Sequence, residues 1–180
     1  YQGPGKMDPA TSQCLGPYFR SVLFHSHQAN AVELMVNKET GEVRVTKWAG
    51  GCDLIPANPT NVEGQLEGAS LVMGLGTALT EERWQDKGMY LGKSYLEWKI
   101  PTIMDVPKVD NVDTAIVPVW GEAHGENPRI DAPFGAKGTA EGVQAPTAPA
   151  IANAVADAIG VRLTKIPFTP DVILKALGKG

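Results

Sequence analysis

Cysteine is almost absent from this chain. Cys14 and Cys52 are the only two, they form no CxxC pair, and two thiols make no disulfide framework. A cysteine-built metal site and a stapled secreted scaffold are therefore not expected, and a reducing compartment suits the sequence. Basic charge is also scarce: 16 Lys and Arg stand against 20 Asp and Glu, for a net charge of −4. No cationic stripe interrupts that balance, which argues against a nucleic-acid or anionic-membrane partner. Nor is there a run of 18 apolar residues, or an opening in which charge precedes an apolar stretch, so neither a membrane span nor a signal peptide is expected. The reading is cytoplasmic. Several catalytic signatures are missing as well. There is no GxSxG elbow; GAKGT at 135–139 carries half a phosphate-binding loop without the GxxxxGK[ST] spacing; GLG at 74–76 is too short for a dinucleotide fingerprint. The histidines are His25, His27 and His124. HSH would point its two rings to one side of a strand, but no third ligand lies near, so structural or surface roles are expected.

What remains is enough apolar sequence for a real core in one α+β domain, residues 1–180. The opening YQGPGKMDPATSQ has loop chemistry and reads as the downstream piece of something larger, with residues 1–19 irregular. SVLFHSHQANAVELMVN, the turn KETG and the alternating EVRVTKW predict a β-hairpin, with Gly41 left-handed in its turn. AGGCDLIPANPTN reads as a loop feeding a helix over VEGQLEGASLVMGLGTALTEERW. Leu66, Ala69, Val72, Met73, Leu75 and Leu79 supply its apolar face, Thr60 or Asn61 its cap, and Glu63 a first-turn carboxylate.

Gly64, Gly68, Gly74 and Gly76 disturb that helix, since each interior Gly costs ~1 kcal/mol against Ala. Either a ligand or another backbone approaches closely, or helix and sheet pack tightly. YLEWKIPTIMDVPKV, broken by Pro101 and Pro107, reads as extended. VDTAIVPVW reads as a strand and HGENPRIDAPFG as a loop. Thr147 is the expected cap of a helix that buries Ile151, Val155 and Ile159 and stops at Gly160. VRLTKIPF reads as a short strand, and Thr169 and Pro170 begin a last helix that Gly178 closes.

Glu141 is the isolated feature, one carboxylate among Gly138, Thr139, Ala140 and Gly142. Small neighbours let backbone fold close and aim the acid at whatever fills the space. By composition alone it is an ordinary loop glutamate.

Taken in order, ETGEVRV, D before NPTNVEGQLEG, MGLGTALTEE, Y with KIPT and DVP, APFGAKGTAEG with PAIANAVADAIGVRL, and PFTPDVILKAL resemble the C-terminal part of the molybdopterin-binding subunit of molybdenum hydroxylases. That is the xanthine dehydrogenase and aldehyde oxidoreductase family, and the likeness covers nearly the whole chain. It implies the mixed sheet and helices of that molybdopterin-binding domain. It implies hydroxylation of an aldehyde or N-heterocycle with water-derived oxygen, electrons passing onward through iron-sulfur clusters to FAD. The family's catalytic glutamate matches Glu141, implying a general base that accepts a proton as oxygen attacks the substrate carbon. The GQxEG match places Gly64 and Gln65 on the pterin, and Lys137, Gly138, Thr139 and Ala140 along the cofactor. The metal is expected to be held by the pterin, not by side chains of this chain.

The implied cofactor is molybdenum-molybdopterin in its cytosine dinucleotide form. The implied partners are a companion molybdopterin-binding chain, an iron-sulfur subunit and an FAD subunit, with a small-molecule substrate. Ala140 and Gly142 depart from the family's Gly and Pro, and the stretch between GQLEG and MGLG is one residue longer than the family's. A non-catalytic scaffold subunit and a relative of carbon monoxide dehydrogenase are the alternatives.

Overall fold

A computed structural model of the chain describes residues 26–54, 58–117 and 136–180, with the backbone of two short strands, β1 (Lys6–Met7) and β2 (Cys14–Leu15). These two pair antiparallel, so a small ladder stands where irregular chain is expected.

The sheet that frames the core has three strands in the order β3 (Gln28–Val36), β4 (Val43–Asp53) and β7 (Val112–Val117). β3 and β4 are the expected hairpin, whereas β7 joins β4 in parallel, with Trp48 opposite Val112 and Asp53 opposite Val117. Asn37 sets the hairpin turn: its side-chain oxygen accepts from the N–H groups of Glu39 and Thr40 at 2.9 and 3.2 Å. Gly41 then takes φ +78°, and a Cβ there would lie 2.2 Å from the Pro170 carbonyl oxygen. No L side chain fits both the angle and the gap.

A bulge decides which residues of β4 face inward. Glu33 pairs with Lys47 and Leu34 with Val45, leaving Thr46 as the extra residue. Thr46 Oγ1 donates to the Glu33 carbonyl at 3.1 Å, beside the Glu33 carboxylate at 2.9 Å. The shift of one puts Val45 on the core face and also Trp48, Gly50 and Cys52. β4 continues through AGGCD, which the sequence reading takes as loop. Its small residues serve packing, for a Cβ on Gly50 would lie 2.1 Å from the Trp48 ring.

Against the inner face lies a helical layer. α1 (Pro59–Gln65) runs without a break into a π-helix (Leu66–Met73) and then α2 (Gly74–Leu79). α4 (Thr147–Ile159) packs on β3 and α2, and α5 (Pro170–Ala176) presses on the hairpin turn. Trp48, Leu66, Leu75, Val143, Ile151, Val155 and Ile173 fill the space between, each almost fully buried. Each aliphatic side chain so buried contributes ~1.5–3 kcal/mol.

Several expectations are corrected. Asn58 caps α1, its side chain accepting from the Asn61 N–H at 3.2 Å, so Thr60 and Asn61 are already helical and Glu63 lies past the first turn. The π-helix bonds i to i+5, which adds a residue per turn and rotates Met73 off the apolar stripe to half exposure. The start of the 95–109 stretch is not extended: Ser94 caps a four-residue helix, α3 (Tyr95–Trp98), ended by left-handed Lys99. The 161–168 stretch is irregular where a strand is expected, tied to α2 by one bond from the Phe168 N–H to the Ala78 carbonyl at 2.7 Å. Thr147 does not cap α4 through its side chain; Pro146 precedes the helix and the hydroxyl turns inward. Gly160 and Gly178 end their helices at φ +73° and +71°, as expected.

The two outer surfaces differ. Among the described residues nothing covers the sheet's outer face, where Ala29, Ala31, Ala49, Gly51 and Ala115 floor a trough of about 560 Å³. An arm built from β5 (Gln85–Asp86), β6 (Met89–Tyr90) and α3 exposes Met89, Leu91, Tyr95, Leu96, Ile103 and Met104.

Candidate functional site

Glu141 begins a 3-10 turn, Glu141–Gln144, that follows the irregular stretch 136–140. Its side chain is exposed, while its neighbours are fastened. Val143, two residues on, is 1% exposed, and its carbonyl accepts from the Ser70 hydroxyl in the π-helix. Gln144 Nε2 donates to Thr77 Oγ1 at 3.0 Å. The turn is thus sewn to the glycine-rich helical run at two places.

The fastening at Ser70 belongs to a buried polar knot. Ser70 and Thr147 are fully buried, and Thr147 Oγ1 donates to the Ser70 carbonyl at 2.6 Å. The Asn30 amide lies 2.8 Å from Ser70 Oγ and 2.6 Å from Thr147 Oγ1. With its oxygen turned to the hydroxyls it accepts from the Thr147 N–H at 3.2 Å, and its nitrogen donates to the Ala29 carbonyl at 2.8 Å. That orientation gives each end of the amide a backbone partner, and one knot joins β3, the π-helix and α4.

On the other side of Glu141, Lys137 reaches the end of β4. Its ammonium donates to Asp53 Oδ2 at 2.7 Å, and the two side chains are only 11% and 15% exposed. His27 completes the cluster through Nδ1, 3.0 Å from the same oxygen, and through its backbone N–H on Oδ1. Burial pushes the Asp53 carboxyl up, but the hydrogen bonds from Lys137 and His27 together outweigh it and hold the group below its ordinary range. Next to it, burial and then the Asp53 charge push the Cys52 thiol up, as befits a buried free cysteine.

The four glycines of the helical run divide between the two readings. A Cβ on Gly74 would lie 2.5 Å from Thr147 Cβ, and one on Gly76 would lie 2.1 Å from Glu81 Oε1 and 2.7 Å from the Pro101 ring. Those two serve tight packing. Gly64 and Gly68 are exposed, and a Cβ on either would meet none of the described residues within 4 Å. They leave bare helix backbone on the surface, with exposed Gln65 at the end of α1 between them.

The structure therefore brings the Glu141 turn against the π-helix that begins immediately after Gln65. Gly138 and Ala140 are exposed, Thr139 is half-buried, and the Lys137 side chain is committed to Asp53. His27 Nδ1 is engaged with Asp53, and among the described residues no group of three His, Cys, Asp or Glu side chains has a metal-holding arrangement. His25 and His124 lie outside the described residues. Sequence reasoning gave no role to Asp53, Asn30 or Ser70, and gave Thr147 the role of a helix cap, not of a buried donor. The available signal was polarity inside apolar runs: Ser70 interrupts ASLVM, and Asn30 sits on the inward register of β3.

Comparison with known proteins supplies the context. The family described as "Molybdopterin cofactor-binding domain" matches residues 5–107. The Escherichia coli (strain K12) protein named "Probable hypoxanthine oxidase XdhD" is 35% identical over 167 residues, 91% of this chain and 16% of that protein. The aldehyde oxidoreductase molybdenum-binding subunit PaoC of the same organism is 32% identical over 154 residues, 81% of this chain and 19% of that subunit. Among solved structures, the aldehyde oxidoreductase of Desulfovibrio gigas superposes with a TM-score of 0.72 at 29% identity, over 87% of this chain and 16% of that one. This chain thus spans 16–19% of the length of these relatives. The mixed α+β fold, the glycine-rich helical run and these matches agree, and the chain belongs to the molybdopterin cofactor-binding domain family of the xanthine dehydrogenase and aldehyde oxidoreductase type.

Proposed function

We propose that this chain is part of a molybdenum hydroxylase, in which Glu141 is the general base for adding water-derived oxygen to an aldehyde or N-heterocyclic carbon. The observation that carries the reading is the setting of Glu141: an exposed carboxylate on a turn packed against the π-helix and fastened to it through Val143 and Gln144. Just upstream, Gly64 and Gly68 expose uncluttered backbone. A carboxylate that is free at its head and fixed at its root suits proton acceptance, for which a positioned base contributes about 10² to 10⁴ in rate.

The residues present fit a large planar cofactor. Cβ atoms on Gly64 and Gly68 would stand in open space, so these glycines keep a face clear for it. Gln65, exposed between them, has an amide free to donate and accept hydrogen bonds with a pterin ring. Gly138, Thr139 and Ala140 offer backbone N–H groups, and so does Lys137, whose side chain is spent on Asp53. When bound, a molybdenum-molybdopterin group, in its cytosine dinucleotide form, supplies the two-electron redox chemistry. This chain's contribution is to hold that group and to take up the proton that water loses.

The relatives' names, a hypoxanthine oxidase and an aldehyde oxidoreductase, bracket the proposed substrate class without choosing within it. Activity requires polypeptide beyond these residues: a companion molybdopterin-binding portion, and iron-sulfur and FAD units for onward electron transfer. The exposed apolar arm, with Leu96 at 88% and Ile103 at 84% exposure, supports docking against such a partner. No described helix is long and apolar enough to cross a membrane, and a cytoplasmic location is proposed with the rest.

The test is Glu141→Gln in the assembled enzyme, with molybdenum content and turnover measured together. Turnover is expected to fall by about 10²-fold or more with the metal retained. Unchanged turnover at unchanged metal content would remove the assigned base and favour a scaffold role.

A further inference from the structure

Glu141 lies between two restraints, and one of them comes from a residue with no part in the proposed chemistry. Downstream, the Val143 carbonyl is tied to Ser70. Upstream, Lys137 is four residues away and is drawn to Asp53 at 2.7 Å. Between these points the chain is irregular and rich in small residues, Gly138, Thr139 and Ala140, with little intrinsic preference for one path. A segment like this keeps a fixed course only when both ends are held.

The Asp53 end is well built for that task. Asp53 closes β4, the central strand of the sheet, and its N–H bonds the His27 carbonyl at 3.0 Å. The carboxylate is therefore rooted in the central strand of the sheet. His27 occupies one oxygen with its backbone N–H and lies 3.0 Å from the other with Nδ1, which fixes the carboxylate's rotation. Lys137 Nζ then meets an acceptor that is already oriented, in a largely buried setting where an ion pair is less screened than at the surface. Gly142 adds a limit on the same side: a Cβ there would lie 3.0 Å from Gln28 Nε2, next to His27. The segment 136–142 is thus pinned to the adjoining ends of β3 and β4.

We infer that Asp53 is a positioning residue for Glu141: through Lys137 it sets the course of residues 137–141 and hence where the Glu141 carboxylate stands. The inference rests on the general-base reading of Glu141 and deepens it, because it assigns the alignment of the base to a strand end that touches no substrate. Displacing a reacting group by about 1 Å can cost on the order of 100-fold in rate, so loss of the tether is a catalytic lesion without being a loss of chemistry. It also predicts that Asp53 and Lys137 act as one unit.

The test uses the assembled enzyme and four variants, Asp53→Asn, Lys137→Met, the double variant and Glu141→Gln, with molybdenum content, kcat, KM and amide hydrogen exchange read on each. Asp53→Asn and Lys137→Met are each expected to lower kcat by about tenfold or more, with KM within twofold and metal content unchanged. The double variant is expected to lose no more than the worse single one. Faster exchange is expected at Gly138 to Glu141 in all three, with the β4 amides unaffected.

A purely structural ion pair would instead lower metal content or assembly and leave kcat per molybdenum intact. That outcome overturns the inference, and so do additive losses in the double variant or unchanged exchange at 138–141. Should Asp53→Asn fail to assemble, Lys137→Met, which keeps the aliphatic stem, carries the same comparison. Glu141→Gln separates the two readings. If it retains turnover, the base assignment fails, whereas if it is inactive while the tether variants match wild type, only the positioning role of Asp53 is lost.

Discussion

The division among the four glycines makes a prediction with opposite signs within one helix. Gly68→Ala adds a methyl group where nothing lies within 4 Å, and so does Gly64→Ala. Each replaces the poorest non-proline helix former with the best, a gain of up to ~1 kcal/mol, largely through a less flexible unfolded chain. For a chain of this length that corresponds to a rise in Tm of about 2–4 °C per substitution. Gly74→Ala drives its methyl group to 2.5 Å from Thr147 Cβ and 2.8 Å from Cγ2. Both atoms belong to a side chain held at Ser70, so it cannot step aside. Overpacking of this kind costs about 1–3 kcal/mol, which exceeds the propensity gain. Gly74→Ala is expected to lower Tm by several degrees.

The assay is thermal and urea denaturation of the purified protein, followed by measurement of bound molybdopterin in the assembled enzyme. The stabilising variants are the informative ones there. If Gly64 and Gly68 keep a face clear for the cofactor, Gly68→Ala should raise stability and yet reduce bound molybdopterin severalfold. Gly74→Ala should reduce cofactor only as far as it reduces folded protein. A Gly68→Ala protein that is more stable and fully loaded would refute the use of that face. One that is destabilised would show that the helix surface at Gly68 is not open.

Three further outcomes are expected. Ser70→Ala leaves the Val143 carbonyl without its donor and removes a partner of Asn30 and Thr147, and should cost about 1–3 kcal/mol in urea denaturation. Asp53, held below its ordinary range by Lys137 and His27, contributes stability above about pH 4 that is lost as pH falls through its folded value. Wild type should therefore lose stability more steeply than Asp53→Asn below pH 4. Cys52, buried and with its thiol pushed up, should react with an aromatic disulfide at pH 8 only as fast as the protein unfolds, and at once in denaturant. Rapid reaction in the native state would contradict that burial.

How much of this was legible in the sequence follows from the range of each interaction. Hairpin, α4 and α5 were readable because their signals are local: KETG with Gly41, the Ile151, Val155 and Ile159 stripe, and Thr169 before Pro170. The extension of β4 through AGGCD was not, because small residues resemble a loop until Trp48 is seen lying against Gly50. VRLTKIPF shows the converse: its composition suits a strand, but only one backbone bond to Ala78 meets it, and without a ladder β-propensity decides nothing. Glu141 and GQLEG were singled out as candidates through motif resemblance. The groups that hold them were not, since Asp53 and Lys137 are far apart in sequence, as are Asn30, Ser70 and Thr147. Each of those residues belongs to a common type whose meaning is supplied by its partner.

The pattern of exposure carries the last step. In an enzyme whose whole site is built from one compact unit, the acid that moves the proton sits in a cleft with walls. Here Glu141, Gly64, Gln65 and Gly68 all lie open, while the atoms that fix them, on Ser70, Thr147, Lys137 and Asp53, are buried or nearly so. Among the described residues, the fixed atoms lie behind this candidate surface. A carboxylate in open water exchanges its proton with solvent, so a base presented this way works only once something covers it. On the proposed reading the cover is the cofactor on one side and the companion polypeptide on the other. This chain is then the floor of a site, and its buried tethers keep that floor in place before the walls arrive.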